Sequence, residues 1–552
     1  MIQLGISAFY HDSAACLVKD GKVLLAAEEE RFTEIKHDDS FPIKSINWIL
    51  NEANISIKDI DEVCWYEKPN LKKERVLDIF SKRPFRTFLS KRKFKKEHKL
   101  RNPIRLLREI GYTGNITYTP HHLSHAAFSF LTSPYTEADI LVVDGVGEWE
   151  TVSFWKGSKA GITLQHSYKF PDSLGMFYST MTAYLGFKPN EGEYKVMGLA
   201  PYGKPDKYYD KLRSVFSTSG FKINQKYFTW EYSDKIMFNT NFAKLLNIPP
   251  RLPEEEFTQD HKDIAAATQA VYEYYFLSFV EEMKRIGKSN NLCIGGGCAY
   301  NGVANYKAYK HYKNIFIPFA PSDAGSAIGA CLVNYKGPRR DNSSPYLGNN
   351  YSEDHYKDIL DSYSDKVNYI RFKEEALITR VTKLLQSQNI IAWFQGRMEF
   401  GARALGNRSI LASPYNPKMR EKLNLVIKKR EGFRPFAPSV LSQDVSKYFI
   451  ARDSVPYMNQ VVKVRRGSLG LFPAATHIDG TARIQNVTEK ANNKYYSLLK
   501  SFKRLTGHGV LLNTSFNLKD QTITRTPDQA ISRFLDSSID YLVLGNYLVI
   551  KK

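Results

Sequence analysis

Cysteine is scarce in this sequence, and long apolar runs are missing. The five cysteines in 552 residues form neither a disulfide framework nor the paired spacing of a zinc site. We therefore expect these cysteines to be small buried hydrophobic residues. No apolar run approaches the roughly 20 residues that span a bilayer. Residues 1–18 also lack the basic start and apolar centre of a secretory signal peptide. These absences predict a cytoplasmic protein without a membrane span.

The sequence also lacks the signatures of several enzyme classes. It contains no Walker A loop, no Gly-x-Ser-x-Gly elbow and no protein-kinase motif set. Hydrophobic residues make up 43% and aromatic residues 13% of the chain, which excludes extended disorder because such a chain can bury a core. The length predicts two to four domains.

Positive charge is in excess and is concentrated in one segment. The formal net charge is +21, and residues 81–108 hold twelve Lys or Arg against one Glu. Phenylalanines interleave with these cations. The segment is either a solvated helical face or a basic amphipathic surface for nucleic acid, anionic lipid or an anionic substrate. Charge alone does not distinguish these polyanions.

Two segments of the first half share one pattern of strands. Residues 2–32 predict three strands with tight turns at 11–13 and 20–21, and residues 138–168 predict three strands in the same order. Helical sequence follows each. This internal repeat resembles the duplicated α/β fold of actin, sugar kinases and chaperone ATPases, in which a nucleotide lies between two related lobes.

A segment rich in Gly, Pro, Asn and Ser, residues 335–354, predicts the boundary between domains. Helical periodicity at residues 264–285 precedes it, and alternating helix and strand patterns follow it. The sequence therefore predicts one α/β domain over residues 1–340 and a second over residues 341–552.

A pair of histidines four residues apart marks chemistry in the first half. His121 and His125 are spaced so that a helix presents both imidazoles on one face, where they can bind one metal ion. Asp144, at a strand end, and Asp323, in a loop, complete a set that suits a divalent first-row metal. His122 is an alternative to His121, because it lies three residues before His125.

Glycine-rich turns and cationic residues predict phosphate binding. Gly295, Gly296 and Gly297 lie between a strand and a helix, where backbone N–H groups can approach a phosphate or ribose. In the second half, cations beside glycines suit a polyphosphate or acyl-phosphate site. These residues are Arg403, Arg408, Lys428, Lys429, Arg430, Arg434, His477 and Arg483, with Asn513, Ser515 and Asn517 after a strand.

Nine motifs match one family in the same order along nearly the whole chain. They are ERFTEIKHDDSFP, HHLSHAA, VVDGVGEWET, GEYKVMGLAPYG, GGGCAYNGVAN, EFGARALGNRSILA, FRPFAPS, HIDGTARIQ and LLNTSFN. The chain thus resembles the O-carbamoyltransferases that modify nodulation factors, cephalosporins and aminoglycoside antibiotics. The resemblance implies an actin-like N-terminal domain, akin to the tRNA threonylcarbamoyl transferase, and a YrdC-like C-terminal domain.

The resemblance also implies two reactions at two sites. The second domain binds ATP with Mg²⁺ and carbamoyl phosphate and forms carbamoyl adenylate. The first domain uses iron(II), or another divalent first-row metal, to help transfer the carbamoyl group to a hydroxyl of an antibiotic, sugar or glycan. Carried over by motif, the metal ligands are His121, His125, Asp144 and Asp323, and the adenylate-forming residues are Arg403, Lys428, Arg483, Asn513 and Ser515.

Three further residues of the N-terminal motifs, His11, Asp12 and Lys36, are implied to face the acceptor or the carbamoyl group. Either His11 or Asp12 can serve as the base for the attacking hydroxyl. The same folds also serve tRNA threonylcarbamoylation, which needs threonine and bicarbonate instead of carbamoyl phosphate. A sugar kinase and a non-catalytic nucleic-acid-binding protein are further alternatives, although the metal and phosphate residues argue against nucleic acid as a partner. The sequence does not identify the oligomeric state, and a homodimer is one possibility.

Overall fold

The computed structural model describes residues 1–82, 101–233 and 236–552, and it has the predicted mixed α/β class. The chain forms two compact units. Unit 1 comprises residues 1–29 and 37–343, and unit 2 comprises residues 30–36 and 344–552. The main division between the units falls at residues 343 and 344. The short stretch 30–36, with helix α1 (Glu30–Thr33), belongs to unit 2 although the sequence prediction placed it in the first domain.

Unit 1 contains two five-stranded sheets of the same topology. The first has the order β3-β2-β1-β4-β5, and the second has the order β8-β7-β6-β9-β10. In each sheet the first three strands pair antiparallel, and the last two continue parallel to the first. This confirms the internal repeat. The strands are β1 (Ile2–Ser7), β2 (Ala14–Lys19), β3 (Lys22–Glu28), β4 (Glu62–Trp65), β5 (Asn115–Tyr118), β6 (Ala138–Val143), β7 (Glu150–Ser158), β8 (Gly161–Lys169), β9 (Asn291–Gly295) and β10 (Asn314–Phe316).

Helices connect and cover these sheets. The longest one extends beyond the predicted residues 264–285 because Thr258 caps its start: Thr258 Oγ1 accepts the His261 N–H at 3.4 Å. The helices of unit 1 are α2 (Ile43–Ala53), α3 (Pro69–Lys82), α4 (Pro103–Glu109), α5 (His121–Leu131), α6 (Leu174–Tyr184), α7 (Glu193–Leu199), α8 (Asp206–Arg213), α9 (Thr240–Leu246), α10 (Gln259–Gly287), α11 (Gly302–Lys307) and α12 (Asp323–Asn334).

Unit 2 is built on an eight-stranded mixed sheet of order β11-β21-β20-β12-β13-β19-β14-β18, beside a three-stranded sheet of order β15-β16-β17. The last predicted strand, residues 539–550, is a hairpin because Gly545 turns the chain at φ 57°. The strands are β11 (Val367–Arg371), β12 (Ile391–Phe394), β13 (Arg408–Ala412), β14 (Ala437–Leu441), β15 (Phe449–Ile450), β16 (Val461–Val464), β17 (Thr481–Arg483), β18 (Gln485–Val487), β19 (Val510–Ser515), β20 (Tyr541–Leu544) and β21 (Tyr547–Lys551).

The apolar core of unit 2 lies between its sheet and two amphipathic helices, α14 (Glu374–Gln386) and α17 (Asn493–Thr506). The leucines of these helices and Phe502 are buried against Trp393 and Leu511 of the sheet. The N-terminal stretch 30–36 is held to this unit by two arginines. The Arg525 guanidinium lies over the Phe32 ring at 4.5 Å, and Arg533 pairs with the Glu34 carboxylate at 2.7 Å. The helices of unit 2 after α1 are α13 (Glu353–Ser362), α14 (Glu374–Gln386), α15 (Lys418–Glu421), α16 (Val445–Tyr448), α17 (Asn493–Thr506) and α18 (Pro527–Leu535).

Other expectations from the sequence have mixed outcomes. Four of the five cysteines are buried thiols, and Cys298 is half-buried. In the part of the chain that the structure describes, no helix is both long enough and apolar enough to cross a bilayer. Most of the basic segment 81–108 lies outside the described residues, which stop at 82 and resume at 101, so its predicted amphipathic surface stays a prediction.

Helix α12 packs unusually close to strand β1 because Gly5 has no side chain. A Cβ atom at Gly5 would lie 2.2 Å from the Ala327 carbonyl oxygen and 2.6 Å from Cys16 Sγ. Both contacts are far shorter than van der Waals distance, so any side chain there must push the helix away.

We predict that Gly5→Ala destabilises the protein by about 1–3 kcal/mol through overpacking. Gly470→Ala is the matched control, since nothing lies within 4 Å of a Cβ at that position. Thermal unfolding of both variants by circular dichroism measures the difference. Equal midpoints for the two variants would contradict the close packing of α12 on β1.

Candidate functional site

Helix α5 presents His121 and His125 on one face, with their Nε2 atoms 3.1 Å apart. Pro120 precedes the helix and offers no side-chain cap. The Glu148 carboxylate takes that place, because its two oxygens accept the His121 N–H at 2.9 and 3.0 Å. Glu148 also accepts the Lys68 N–H at 2.7 Å. Sequence reasoning missed Glu148, although its motif contains three acidic residues.

Asp144 follows strand β6 and faces both histidines. Its Oδ2 atom lies 3.0 Å from His121 Nε2 and 3.3 Å from His125 Nε2. Its Oδ1 atom accepts the backbone N–H of Gly145 at 2.8 Å and of Gly297 at 3.1 Å. Two backbone donors therefore fix the orientation of the carboxylate. The predicted contact of Gly295, Gly296 and Gly297 with a phosphate or ribose stays a prediction, and the observed role of this loop is to hold Asp144.

Asp323 was expected in a loop, but it is the first residue of helix α12. Its Oδ1 atom lies 3.3 Å from His125 Nε2 and 3.6 Å from His121 Nε2. One turn later on the same helix, Ser326 Oγ lies 3.0 Å from Nδ1 of His125. This contact fixes the ring of His125 from behind, as partners of metal-ligating imidazoles do.

The four residues form a buried cluster that can hold a metal ion. The two imidazole nitrogens lie 3.1 Å apart and 3.0 to 3.6 Å from the carboxylate oxygens, and all four donor atoms lie within 4.8 Å of one another. Bonds of about 2.1 Å to a common ion require separations of about 3.0 to 3.4 Å between neighbouring ligands. Asp144 is 3% exposed and Asp323 is 0% exposed. Among the described residues, neither aspartate forms an ion pair with Lys or Arg. Two buried carboxylates whose ion-pair partners among the described residues are imidazoles fit a divalent cation, since both residue types are its ligands.

The structure decides between His121 and His122. His122 turns away from the cluster, and its Nδ1 atom lies 2.7 Å from Ser153 Oγ. Burial and the neighbouring His121 lower the pKa of His122 well below its usual range. His122 is therefore a neutral core histidine, and His121 is the residue brought to the aspartates.

His11 and Asp12 lie together in unit 1, on the loop after β1. Asp12 is bridged by two imidazoles: its Oδ2 atom lies 3.0 Å from Nδ1 of His11, and its Oδ1 atom lies 2.6 Å from Nδ1 of His37. Burial lowers the pKa of His11, but the carboxylates of Asp323, Asp12 and Asp144 outweigh this and raise it to about 10. His11 is thus within electrostatic reach of the metal-ligand cluster. Sequence reasoning did not single out His37.

Lys428 is the centre of a buried cationic cluster in unit 2. Its Nζ atom donates to the carbonyl oxygens of Ser515 and Asn517 and to the Asn517 side chain. Burial lowers the pKa of Lys428, and so do the nearby charges of Arg430, Lys36, Arg434 and Arg533. Two of these arginines pair with carboxylates, Arg434 with Glu431 and Arg533 with Glu34, and the remaining excess of positive charge beside a buried amine favours an anionic ligand.

This finding places Lys36 with Lys428 in unit 2, whereas the sequence expectation grouped it with His11 and Asp12 in the first domain. The reason is the pairing of the stretch 30–36 with arginines far along the chain, described above, which no local pattern reveals. The function of Lys36 stays a prediction.

Hydrogen bonds connect Asn513 to chain neighbours of Arg403 and Arg483 in unit 2. Asn513 Nδ2 donates to Gln485 Oε1 at 3.0 Å and to the Ala404 carbonyl at 3.4 Å, next to Arg403 in the chain. Gln485 follows Arg483 by two residues. Ser515, two residues after Asn513 on β19, donates its hydroxyl to Asn517 Oδ1 at 2.6 Å. Gln485 was not predicted as a site residue. It connects Asn513 to β18, the strand that follows Arg483.

Arg408 is a structural residue. It is fully buried, lies over the Phe394 ring at 3.7 Å, and donates to backbone carbonyls. Its carbonyl partners are those of Asn349, Gln395, Gly396 and Asn407. Since neutral carbonyl oxygens already occupy both of its terminal nitrogens, Arg408 does not join the anion-binding cations predicted around it.

We predict that the protein binds about one divalent metal ion per chain and that His125→Ala removes most of it, because a buried ligand is lost. Metal content is measured after anaerobic loading with Fe(II) and gel filtration. His122→Asn is the matched control: it keeps a polar group near Ser153 and lies outside the ligand cluster. Equal metal content in His125→Ala and wild type, or loss in His122→Asn, would contradict the assignment.

Comparison with known proteins gives the family. A model of the carbamoyltransferase N-terminus matches residues 2–332, and a model of the carbamoyltransferase C-terminus matches residues 382–551. Nodulation protein NolNO of Sinorhizobium fredii is 34% identical over 99% of this chain and 80% of its own length. The 3'-hydroxymethylcephem-O-carbamoyltransferase of Amycolatopsis lactamdurans is 31% identical over 57% of this chain and 56% of its own.

Among solved structures, component A of the (R)-2-hydroxyglutaryl-CoA dehydratase of Acidaminococcus fermentans is 16% identical. The match covers 61% of this chain and 98% of the length of that protein, at a TM-score of 0.32. The family models, by contrast, span most of the sequence in both units. The chain therefore belongs to the carbamoyltransferase family and is a transferase.

Proposed function

We propose that this carbamoyltransferase is ATP-dependent, forms carbamoyl adenylate from carbamoyl phosphate, and transfers the carbamoyl group to a hydroxyl of an acceptor. The observation that carries the proposal is the opposite charge of two buried sites: a pair of aspartates with two histidines in unit 1, and Lys428 among other cations in unit 2. An actin-like unit 1 and a YrdC-like unit 2 belong to the same proposal. The duplicated sheets of unit 1 support the first of these.

Adenylate formation suits unit 2. Carbamoyl phosphate and water give carbamate and phosphate, and a carbamate oxygen then attacks the α-phosphorus of ATP and releases pyrophosphate. Both steps concentrate negative charge on phosphate oxygens, so they need fixed positive charge that requires no reorganisation. Lys428, Arg403 and Arg483 are proposed to supply it, with Asn513 and Ser515 on β19 holding the ligand. Mg²⁺ would accompany ATP.

Carbamoyl transfer suits unit 1. An iron(II) or other divalent first-row ion held by His121, His125, Asp144 and Asp323 would polarise the carbamoyl carbonyl. His11 is proposed to accept the proton of the acceptor hydroxyl. Asp12 holds Nδ1 of His11, which leaves Nε2 for that proton, as in other imidazole bases oriented by a carboxylate. A cation between the aspartates would lower the pKa of His11 toward that of a working base.

The acceptor class follows from the relatives. One similar protein is a nodulation protein, and another carbamoylates a hydroxymethyl cephem. We infer an acceptor with an accessible hydroxyl, namely an antibiotic, a sugar or a glycan.

The first experiment measures AMP and pyrophosphate released from ATP by the purified protein, with and without carbamoyl phosphate and before any acceptor is known. Release that depends on carbamoyl phosphate supports the proposal. Release of ADP would favour a kinase, and release only with threonine and bicarbonate would favour tRNA threonylcarbamoylation.

We predict that His121→Ala abolishes carbamoyl transfer but leaves pyrophosphate release that depends on carbamoyl phosphate, since it removes a metal ligand of unit 1 alone. Pyrophosphate reports adenylate formation, whereas AMP leaves only when the carbamoyl group is transferred. Loss of pyrophosphate release in His121→Ala would count against separate sites.

Arg483→Ala is expected to reduce pyrophosphate release by roughly 100-fold or more, because one fixed charge of the adenylate site is lost. The same pyrophosphate assay measures it. Normal release by Arg483→Ala would count against its role.

We also predict that His11→Asn lowers the rate of carbamoyl transfer by about 10² to 10⁴-fold with little change in acceptor KM, because Asn keeps a group beside Asp12 but has no Nε2 base. Pyrophosphate release should persist. His166→Asn, at an exposed histidine of strand β8, is the control. A transfer rate within a few-fold of wild type in His11→Asn would reassign the base.

A further inference from the structure

His477 has a fixed tautomer. Its Nδ1 atom lies 3.0 Å from Thr481 Oγ1, and the Thr481 hydroxyl donates its single proton to Asp479 Oδ1 at 2.7 Å. A carboxylate only accepts, so Thr481 Oγ1 must accept the hydrogen of His477 Nδ1. In the neutral imidazole the other nitrogen, Nε2, then carries a lone pair and no proton.

The surroundings keep this imidazole neutral. Burial lowers the pKa of His477 to about 4; the Asp479 carboxylate opposes this, and the charges of Arg483 and Arg420 add to it. The Nε2 atom is buried and has no hydrogen-bond partner among the described residues. A buried acceptor without a donor costs free energy unless a ligand supplies the donor.

This acceptor differs in kind from the groups around it. Arg483 and Thr481 project to the same side of strand β17, because they are two residues apart. The cations proposed to bind phosphate all donate hydrogen bonds. A phosphoryl group needs only donors, whereas a carbamoyl group carries an NH₂ that must meet an acceptor.

We propose that Nε2 of His477 accepts a hydrogen bond from the NH₂ of the carbamoyl group, and that His477 thereby selects carbamoyl phosphate over acyl phosphates that carry a methyl group. The inference rests on the proposed function, since it assumes that unit 2 binds carbamoyl phosphate beside Arg483. It makes His477 a determinant of specificity. A role as general base fits less well, because an imidazole with so low a pKa holds a proton poorly near neutral pH.

The test uses two stable analogues of equal size, carbamoylphosphonate and acetylphosphonate, which differ by NH₂ against CH₃. Isothermal titration calorimetry of the full-length protein gives the two Kd values. We expect wild type to prefer carbamoylphosphonate by about 10-fold or more. His477→Phe should reduce the preference to about 2-fold or less and leave acetylphosphonate binding nearly unchanged. His477→Gln should restore most of the preference, because its amide oxygen can accept the same hydrogen bond close to the position that Nε2 has in wild type.

His508→Phe is the matched control. It is also a histidine of unit 2 whose Nδ1 lies 2.8 Å from a hydroxyl, that of Tyr448, and its preference should equal that of wild type. Should His477→Phe fail to fold, Thr481→Val takes its place: it frees the tautomer and should reduce the preference about threefold.

An unchanged preference in His477→Phe or in Thr481→Val overturns the inference, and so does binding of neither analogue by active wild type. The pyrophosphate assay separates the two proposals. If wild type releases pyrophosphate with carbamoyl phosphate and His477→Phe keeps its preference, only the role of His477 fails. If wild type releases none, the proposed function itself fails.

Discussion

Two buried aspartates that pair with imidazoles, and with no Lys or Arg among the described residues, are the constraint around which unit 1 is arranged. Asp144 and Asp323 come from different elements, yet their carboxylates meet the same two imidazoles. Burying both charges costs several kcal/mol each unless a cation joins them. The surrounding backbone holds this arrangement in place: the Gly297 N–H fixes Asp144, Glu148 secures the helix of the histidines, and Gly5 lets α12 approach the sheet.

Unit 2 shows two ways to bury a cation. Arg408 is enclosed by backbone carbonyls and an aromatic ring, so its charge is solvated by the protein itself. Lys428 also donates to carbonyls, but other cations lie close enough to lower its pKa. Carbonyl oxygens thus serve both terminal nitrogens of Arg408. Near Lys428, Arg434 pairs with Glu431 at 2.6 Å and Arg533 with Glu34 at 2.7 Å, and the excess of cations beside the buried amine suits an anionic ligand.

The sequence supports much of this structure because its signals are local. Alternating strands and an Asp20-Gly21 turn identify the repeated sheets, and the spacing of His121 and His125 identifies the ligand face. Spacing does not separate His121 from His122, since both share a helix face with His125. The contact of His122 with Ser153 decides that, and it depends on the packing of a strand. Glu148, His37 and Gln485 were missed for a similar reason: each acts through a partner distant in sequence or through backbone atoms.

Residues 30–36 belong to unit 2 although residues of unit 1 precede and follow them, and this limits how the chain can be divided. The polypeptide passes from unit 1 to unit 2 and back before its main crossing near residue 343. No single cut therefore yields two whole units. A fragment that starts at residue 344 would leave the Arg525 face and the Arg533 guanidinium without Phe32 and Glu34. Recombination between relatives at that point would join a unit from one parent to seven residues of the other. The path of the backbone thus makes the completeness of unit 2 depend on a segment near the N-terminus.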